Sequence, residues 1–302
     1  MRYDAVILGG SFAGLSAALY VARARRRVCV VDAGAPRNRF AAASHGFFAQ
    51  DGQNPLAMIA TARAQLATYP TASLVTGAAS AAQVQGDGFR VTLASGEHLA
   101  AAKLVLAFGI SDILPELPGL AERWGTSVLH CPYCHGFEFA GRRLGVLYAA
   151  PISLHQAALV AEWGPTTLFL DGNPMPEAEA CARLAARGVG IEPGPVRALG
   201  GDGPALAAAL MADGRSLALD ALFVGPRHRL NSPVAEQLGC AVDEGLLGPT
   251  IRTDATKETT IPGVYAAGDV ARSPHSVAWA SADGVTAGVS LHQSLVFPRL
   301  AA

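Results

Sequence analysis

Apolar positions fall in short blocks broken by glycine, and the blocks alternate between strand-like and helix-like patterns. Residues 3–8 form a nearly continuous apolar run, the pattern of a strand buried on both faces. The turn Gly9-Gly10-Ser11-Phe12-Ala13-Gly14 follows. Residues 15–24, rich in Ala and Leu, predict a helix, and 28–31 form a second buried strand ending at Asp32. Asn54-Pro55 reads as a cap and first helical position for a helix to about residue 69. Two short strands flank Gly86-Asp87-Gly88, a hairpin signal. Residues 103–107 predict another buried strand ending at Phe108-Gly109, and Pro115, Pro118 and Gly119 read as a linker.

A second α/β run follows. Strands are expected at 143–148, 166–170 and 222–224, and helices at 153–163 and 177–187. Ser232-Pro233 starts a helix to Leu238, closed by Gly239, and 245–249 read as a second linker. The last part carries Thr260-Ile261-Pro262-Gly263-Val264-Tyr265-Ala266-Ala267-Gly268-Asp269, with a strand at 264–267 and a helix at 277–291.

Composition narrows the classes. Hydrophobic residues make up 51% and charged residues 16% of 302, enough for a large core and against disorder. A net charge of −1 with no long Lys/Arg run leaves no footprint for nucleic acid or an anionic membrane. No apolar stretch reaches bilayer length, and the chain start lacks a secretory signal, so a cytoplasmic location is expected.

The first block carries a dinucleotide-binding fingerprint. Gly9 permits the tight turn, Gly14 lets helix pack on strand, and the helix N-terminus offers free N–H groups to a pyrophosphate. Asp32, about 20 residues on, can accept hydrogen bonds from a ribose hydroxyl. Ser11 stands at the middle glycine position. Near the end, Gly268 allows close backbone approach to a ligand, and Asp269 offers a carboxylate to a hydroxyl and an N–H to a phosphate. Of five cysteines, Cys29, Cys181 and Cys240 read as isolated and buried. Cys131 and Cys134 form a Cys-x-x-Cys, which signals redox chemistry or half a zinc site. No second pair completes a zinc site, although His130 and His135 flank the motif, so no metal is expected.

The order of Gly-rich turn, central Cys-x-x-Cys and terminal Gly-Val-Tyr-Ala-Ala-Gly-Asp resembles low-molecular-weight thioredoxin reductase over essentially the whole chain. The resemblance implies an α/β fold of two Rossmann-like, three-layer ββα domains. An FAD domain would comprise 1–116 and 246–302, and an inserted NAD(P)-binding-like domain, 117–245, would carry the Cys pair. It implies FAD as cofactor and a homodimer. Matched by motif, Gly9, Ser11, Gly14, Asp32, Gly109, Gly268 and Asp269 would contact FAD, and Ala278 would place backbone against the flavin ring. Ser276-Val277 replaces the Arg-Gln usual before that position. Cys134 would face the flavin and Cys131 would meet the substrate sulfur.

Two departures matter. The inserted domain should repeat the Gly-rich turn, but Ala149-Ala150-Pro151-Ile152-Ser153 has no glycine, and Pro151 removes an N–H donor. Asp171, at the end of the next strand, would repel a 2′-phosphate but suits NADH. Weak nicotinamide binding is expected, with a degenerate but working NADH loop as the alternative. The redox motif, His130-Cys131-Pro132-Tyr133-Cys134-His135-Gly136-Phe137-Glu138, resembles the dithiol oxidases of the gliotoxin and holomycin type, and His45-Gly46-Phe47 fits the same branch. His135 is a candidate base for a thiol proton or a backbone-bonded spacer, and Glu138 a candidate orienter of His135 or a surface carboxylate. The expected function is oxidation of a small dithiol with oxygen as acceptor. The alternatives are a disulfide reductase serving a thioredoxin-like protein from a donor such as ferredoxin, and a flavin redox sensor.

Overall fold

The computed structural model describes residues 2–297. It divides into two compact units: Met1–Arg39, Phe47–Ser111 and His228–Ala302 form the first, and Phe40–Gly46 with Asp112–Arg227 the second.

The first unit opens with β1 (Arg2–Leu8), α1 (Phe12–Arg23) and β2 (Val28–Asp32). Helix α2 (Pro55–Ala67) follows, and the Asn54 side chain accepts from Leu56 N and Ala57 N as its cap. Then come β3 (Ala72–Thr76), β4 (Ala79–Gln85), β5 (Gly88–Leu93) and β6 (His98–Leu106). The sheet order is β3-β2-β1-β6-β5-β4. Strands β1, β2, β3 and β6 run parallel, while β5 is antiparallel to β6 and β4. Alternate residues of β1 feed two cores. Ala5 and Ile7 face the layer of Leu15, Ala18 and Val21, and Val6 and Leu8 face Val91, Val234 and Ile251. A strand buried on both faces has no polar face, which is why these strands read as unbroken apolar runs.

Crossings between the units run through β7 (Ile110–Ile113) and, later, β16 (Arg227–Leu230). The second unit contains β8 (Val128–Leu129), the single-turn helix α3 (Pro132–His135), β9 (Leu144–Leu147), α4 (Ile152–Val160), β10 (Thr166–Phe169), α5 (Ala178–Ala186) and β11 (Gly190–Glu192). A meander, β12 (Val196–Gly200), β13 (Ala208–Met211) and β14 (Ser216–Ala218), precedes β15 (Ala221–Val224). The parallel sheet has the order β11-β10-β9-β15-β8, and the meander forms a separate antiparallel sheet. The sequence pattern contained no sign of that meander. Its strands are short and, apart from Val196, carry no β-branched residue of the kind that marks a strand.

Back in the first unit, α6 (Val234–Gln237) is a short helix, and β17 (Val242–Gly245) pairs antiparallel with β18 (Gly248–Ile251). The expected linker at 245–249 is therefore a hairpin turn. The chain rejoins the first unit at His228, well before residue 246, so α6 and this hairpin pack with the first unit's core through Val234 and Ile251. Strand β19 (Val264–Ala266) pairs with the C-terminal half of β6, and α7 (Val277–Val296) ends the described chain. Among the described residues no helix is long and apolar enough to cross a membrane.

Candidate functional site

Expected site residues gather in two clusters, one in each unit. In the first unit, the turn after β1 is close-packed backbone. Gly9 has φ 114°, and a Cβ there would lie 2.1 Å from the Ala107 carbonyl oxygen. A Cβ on Gly14 would lie 1.8 Å from the Gly9 carbonyl oxygen. Gly10, which the fingerprint did not single out, is equally constrained, because its Cβ would meet the Asp32 side chain at 2.7 Å. The Ser11 side chain makes no capping bond, and the first intrahelical bond runs from Leu15 N to Ser11 O. The N-terminal N–H groups of α1 therefore remain for an anion.

Asp32 Oδ1 accepts from Gly10 N at 3.1 Å, and Oδ2 pairs with Arg63 of α2 at 2.6 Å. Its carboxylate is thereby held beside the turn, tied both to the turn's backbone and to α2.

The terminal motif packs on the same turn. Gly268 has φ 79°, and its Cβ would lie 2.9 Å from the Ala13 Cβ. Asp269 Oδ2 lies 3.3 Å from Arg37 Nη1, and the same nitrogen lies 2.9 Å from His275 Nδ1. His275 stacks edge-on with His228, ring centres 5.6 Å apart, and its buried Nε2 has no hydrogen-bond partner among the described residues. Burial holds His275 below its ordinary value, against the pull of Asp269. Ser276, where a family Arg was expected, caps α7 by accepting from Trp279 N at 3.1 Å. Ala278 lies half-buried in the first turn of α7. Gly109 has φ 71°, and its carbonyl accepts from Asn231 N. This cradle fits an anionic dinucleotide: glycine backbone that admits no Cβ, an uncapped helix start, and a buried imidazole nitrogen awaiting a partner. Arg37, Arg63 and His275 were not foreseen, because each acquires its place from contacts remote in sequence.

The second cluster surrounds the cysteines. Cys131 and Cys134 flank one helical turn, with Cys134 N donating to Cys131 O at 3.2 Å, so the pair shares a face. Gly136 is required here, since its Cβ would lie 2.8 Å from the Trp163 ring. Tyr133 stacks edge-on against Trp163 at 5.7 Å, yet remains 74% exposed, and Phe137 is 82% exposed. Gln156 of α4 donates to the His130 carbonyl at 2.8 Å and anchors the start of the motif. Burial pushes the His135 imidazole below its ordinary value, with Glu138 raising it and His45 lowering it. Burial thus favours the neutral ring, the form that can accept a proton. Glu138 is more than a surface carboxylate: it lies 3.4 Å from His45 Nε2. Cys29 and Cys240 are buried as expected, but Cys181 is only half-buried and donates to the Pro176 carbonyl.

The loop that should repeat the dinucleotide turn is closed on itself. Ser153 is fully buried, and its hydroxyl accepts from Ala149 N at 3.1 Å and Ala150 N at 3.4 Å. Asp171, φ 52°, accepts from Val196 N at 2.7 Å and so ties its strand end to β12. Both features expected to meet a nicotinamide nucleotide are engaged in holding the unit together.

The profile of the pyridine nucleotide-disulphide oxidoreductase family matches residues 3–284. Thioredoxin reductase sirT of Leptosphaeria maculans is 31% identical over 95% of this chain and 92% of its own length. The solved structure of an oxidoreductase from Agrobacterium tumefaciens superposes with a TM-score of 0.95 at 47% identity, covering 99% of this chain and 100% of that one. The structure of HlmI gives 0.93 at 36% identity, covering 98% and 93%. A match across nearly the whole chain, on a fold of two Rossmann-like units, assigns the chain to the pyridine nucleotide-disulphide oxidoreductase family as a thioredoxin reductase-like FAD oxidoreductase.

Proposed function

We propose that the protein oxidises a small dithiol to a disulfide through Cys131 and Cys134, with FAD receiving the electrons and oxygen removing them. The observation that carries this reading is the Ser153 hydroxyl bound to the amides of Ala149 and Ala150. Those amides are the donors a nucleotide pyrophosphate would need. With that entry closed and the redox motif retained, electrons enter from thiols. The motif's resemblance to dithiol oxidases points the same way, and the exposed rings of Tyr133 and Phe137 offer apolar surface to a small substrate beside the cysteines.

In this reading the cradle of Gly9, Ser11, Gly14, Asp32, Gly109, Gly268, Asp269 and Ala278 holds FAD, with Arg37 and His275 beside it. Bound FAD supplies the two-electron acceptor. A substrate thiolate attacks Cys131 Sγ, the Cys131–Cys134 bond breaks, and Cys134 leaves as a thiolate. The second substrate thiolate attacks the substrate sulfur joined to Cys131, closing the product disulfide and releasing the Cys131 thiolate. His135, whose neutral form burial favours, accepts a substrate S–H proton. The cycle converts a dithiol and dioxygen into a disulfide and hydrogen peroxide, with both electrons and both protons accounted for.

The deciding experiment mixes the FAD-loaded protein anaerobically with dithiothreitol, NADPH or NADH and follows flavin absorbance. The dithiol should bleach the flavin and the nicotinamides should not. Rapid stoichiometric bleaching by micromolar NADPH overturns the proposal. Bleaching only by a reduced ferredoxin would replace it with the reductase reading.

A further inference from the structure

Between Arg39 and Phe47 the chain leaves the first unit, and residues 40–46 pack as part of the second. This strap is anchored at its start by Phe40. A Cβ on Gly125 would lie 2.6 Å from the Phe40 Cβ, so the strap and the loop before β8 meet where only glycine fits. At the other end of the strap His45 reaches the redox motif. Its Nε2 lies 3.4 Å from Glu138 Oε1, and its ring stands edge-on to His135, centres 6.2 Å apart and planes at 87°. Three groups from two remote stretches of chain thus converge on the turn that carries the cysteines.

We propose that His45 and Glu138 are positioning residues for dithiol oxidation: the pair fixes the His135 ring beside Cys134, and the Glu138 carboxylate stabilises the imidazolium formed when that ring accepts a proton. The inference rests on the reading of Cys131 and Cys134 as the redox pair.

Geometry and charge agree. The ring of His135, at the end of the short helix α3, is fixed in χ1 and χ2 by the neighbours it packs against. His45 supplies an edge contact on one side. Glu138, three residues after His135, lies 3.4 Å from the His45 ring and acts electrostatically on His135. The two partners act on His135 with opposite signs: the Glu138 carboxylate stabilises the imidazolium and His45 opposes it. Burial dominates both, so the ring rests neutral and can accept a proton. Once the proton arrives, the Glu138 carboxylate stabilises the positive charge on the ring. In this transfer the substrate S–H bond breaks and an imidazole N–H bond forms, and that N–H proton passes to solvent water before the next turnover.

The test uses the FAD-loaded full chain. His45→Gln, Glu138→Gln, the double variant and Glu138→Asp are compared in anaerobic flavin bleaching by dithiothreitol across pH, with His135 followed by NMR in histidine-labelled protein. Each single variant should slow bleaching by about 10-fold. The double variant should be no slower than the singles, because they break one unit. Glu138→Asp should recover part of the rate. The His135 titration should move down in Glu138→Gln and up in His45→Gln, a pair of opposite shifts that loss of packing alone does not produce. Single variants that bleach within about twofold of wild type, with the His135 titration in place, overturn the proposal. Glu138 is partly exposed, so Glu138→Gln reads the pair even if His45→Gln fails to fold. Cys131→Ser keeps the underlying reading separate: if that variant bleaches as fast as wild type, the redox assignment itself fails, whatever the histidine variants do.

Discussion

Cys29 lies within the first sheet with no exposed surface, and burial pushes its thiol up to about 11. Burial raises Cys240 as well, against a contact with Thr259. At pH 8 a thiol at about 11 is roughly one part in a thousand thiolate, and only the thiolate alkylates at a useful rate. After reduction, iodoacetamide should therefore label Cys131 and Cys134 and leave Cys29 and Cys240 unmodified, and without reduction the pair should be protected. Peptide mass mapping checks this, and labelling of Cys29 as fast as Cys131 would contradict it. The same division shows which residues the sequence makes legible. Gly9, Gly14, Asp32 and the Cys pair can be read directly, because their spacing follows from local backbone geometry. Arg37 and His45 cannot. Arg37 meets Asp269 across 232 positions, and nothing around either residue encodes that distance. Ser153 stands where the helix at 153–163 is expected to begin, and only the folded loop reveals that its hydroxyl consumes the amides of Ala149 and Ala150.

Helices α1 and α7 bring the turn at 9–14 and the segment at 260–269 together, and glycine makes their closeness possible. A Cβ on Gly284 would lie 2.1 Å from the Ala13 carbonyl oxygen, and one on Gly288 would lie 2.7 Å from that of Ala17. Both close contacts are to backbone, which cannot rotate away. Gly284→Ala must push α7 off α1, and Ala13 also carries the contact with Gly268. Overpacking of this kind costs about 1–3 kcal/mol. The variant should melt several degrees lower and retain less FAD after gel filtration, read from the ratio of flavin to protein absorbance. Undiminished FAD content would show that the helix contact does not set the cradle. The elements themselves were legible where the pattern was strong. The parallel strands β1, β2, β9 and β10 read as apolar blocks because both faces are buried. The meander β12–β14 did not, since its strands are short and built largely from Ala, Gly and Leu. The hairpin β17–β18 was hidden by the glycines and proline at 245–249, which signal a turn but not whether the flanks pair.

At the scale of the whole molecule, each unit has its own apolar cores, and the proposed cofactor belongs to only one of them. The first unit is assembled from both ends of the chain: β1 lies in the centre of its sheet, and β19 and α7 arrive after the entire second unit has been traversed. Bringing together segments so far apart carries a loop-closure cost, and a ligand held by Gly9, Gly14, Gly268 and Asp269 together offsets it in the folded state alone. With free FAD at about 100 times its dissociation constant, linkage stabilises the bound state by about 2.7 kcal/mol. For a unit of this size that corresponds to a melting shift on the order of 5–10 °C. The effect should also be localised. The second unit closes its own nucleotide loop with Ser153 and ties Asp171 to Val196, so its parallel sheet needs no nucleotide to complete it. Stripping FAD should therefore increase amide hydrogen exchange in α1, the turn at 9–14 and the segment 266–278, while β9, β10 and β15 keep their protection. Adding FAD back should reverse the change in the first unit alone. Equal loss of protection in both units would show that the second unit depends on the cofactor, and the division of labour drawn from Ser153 would fall with it.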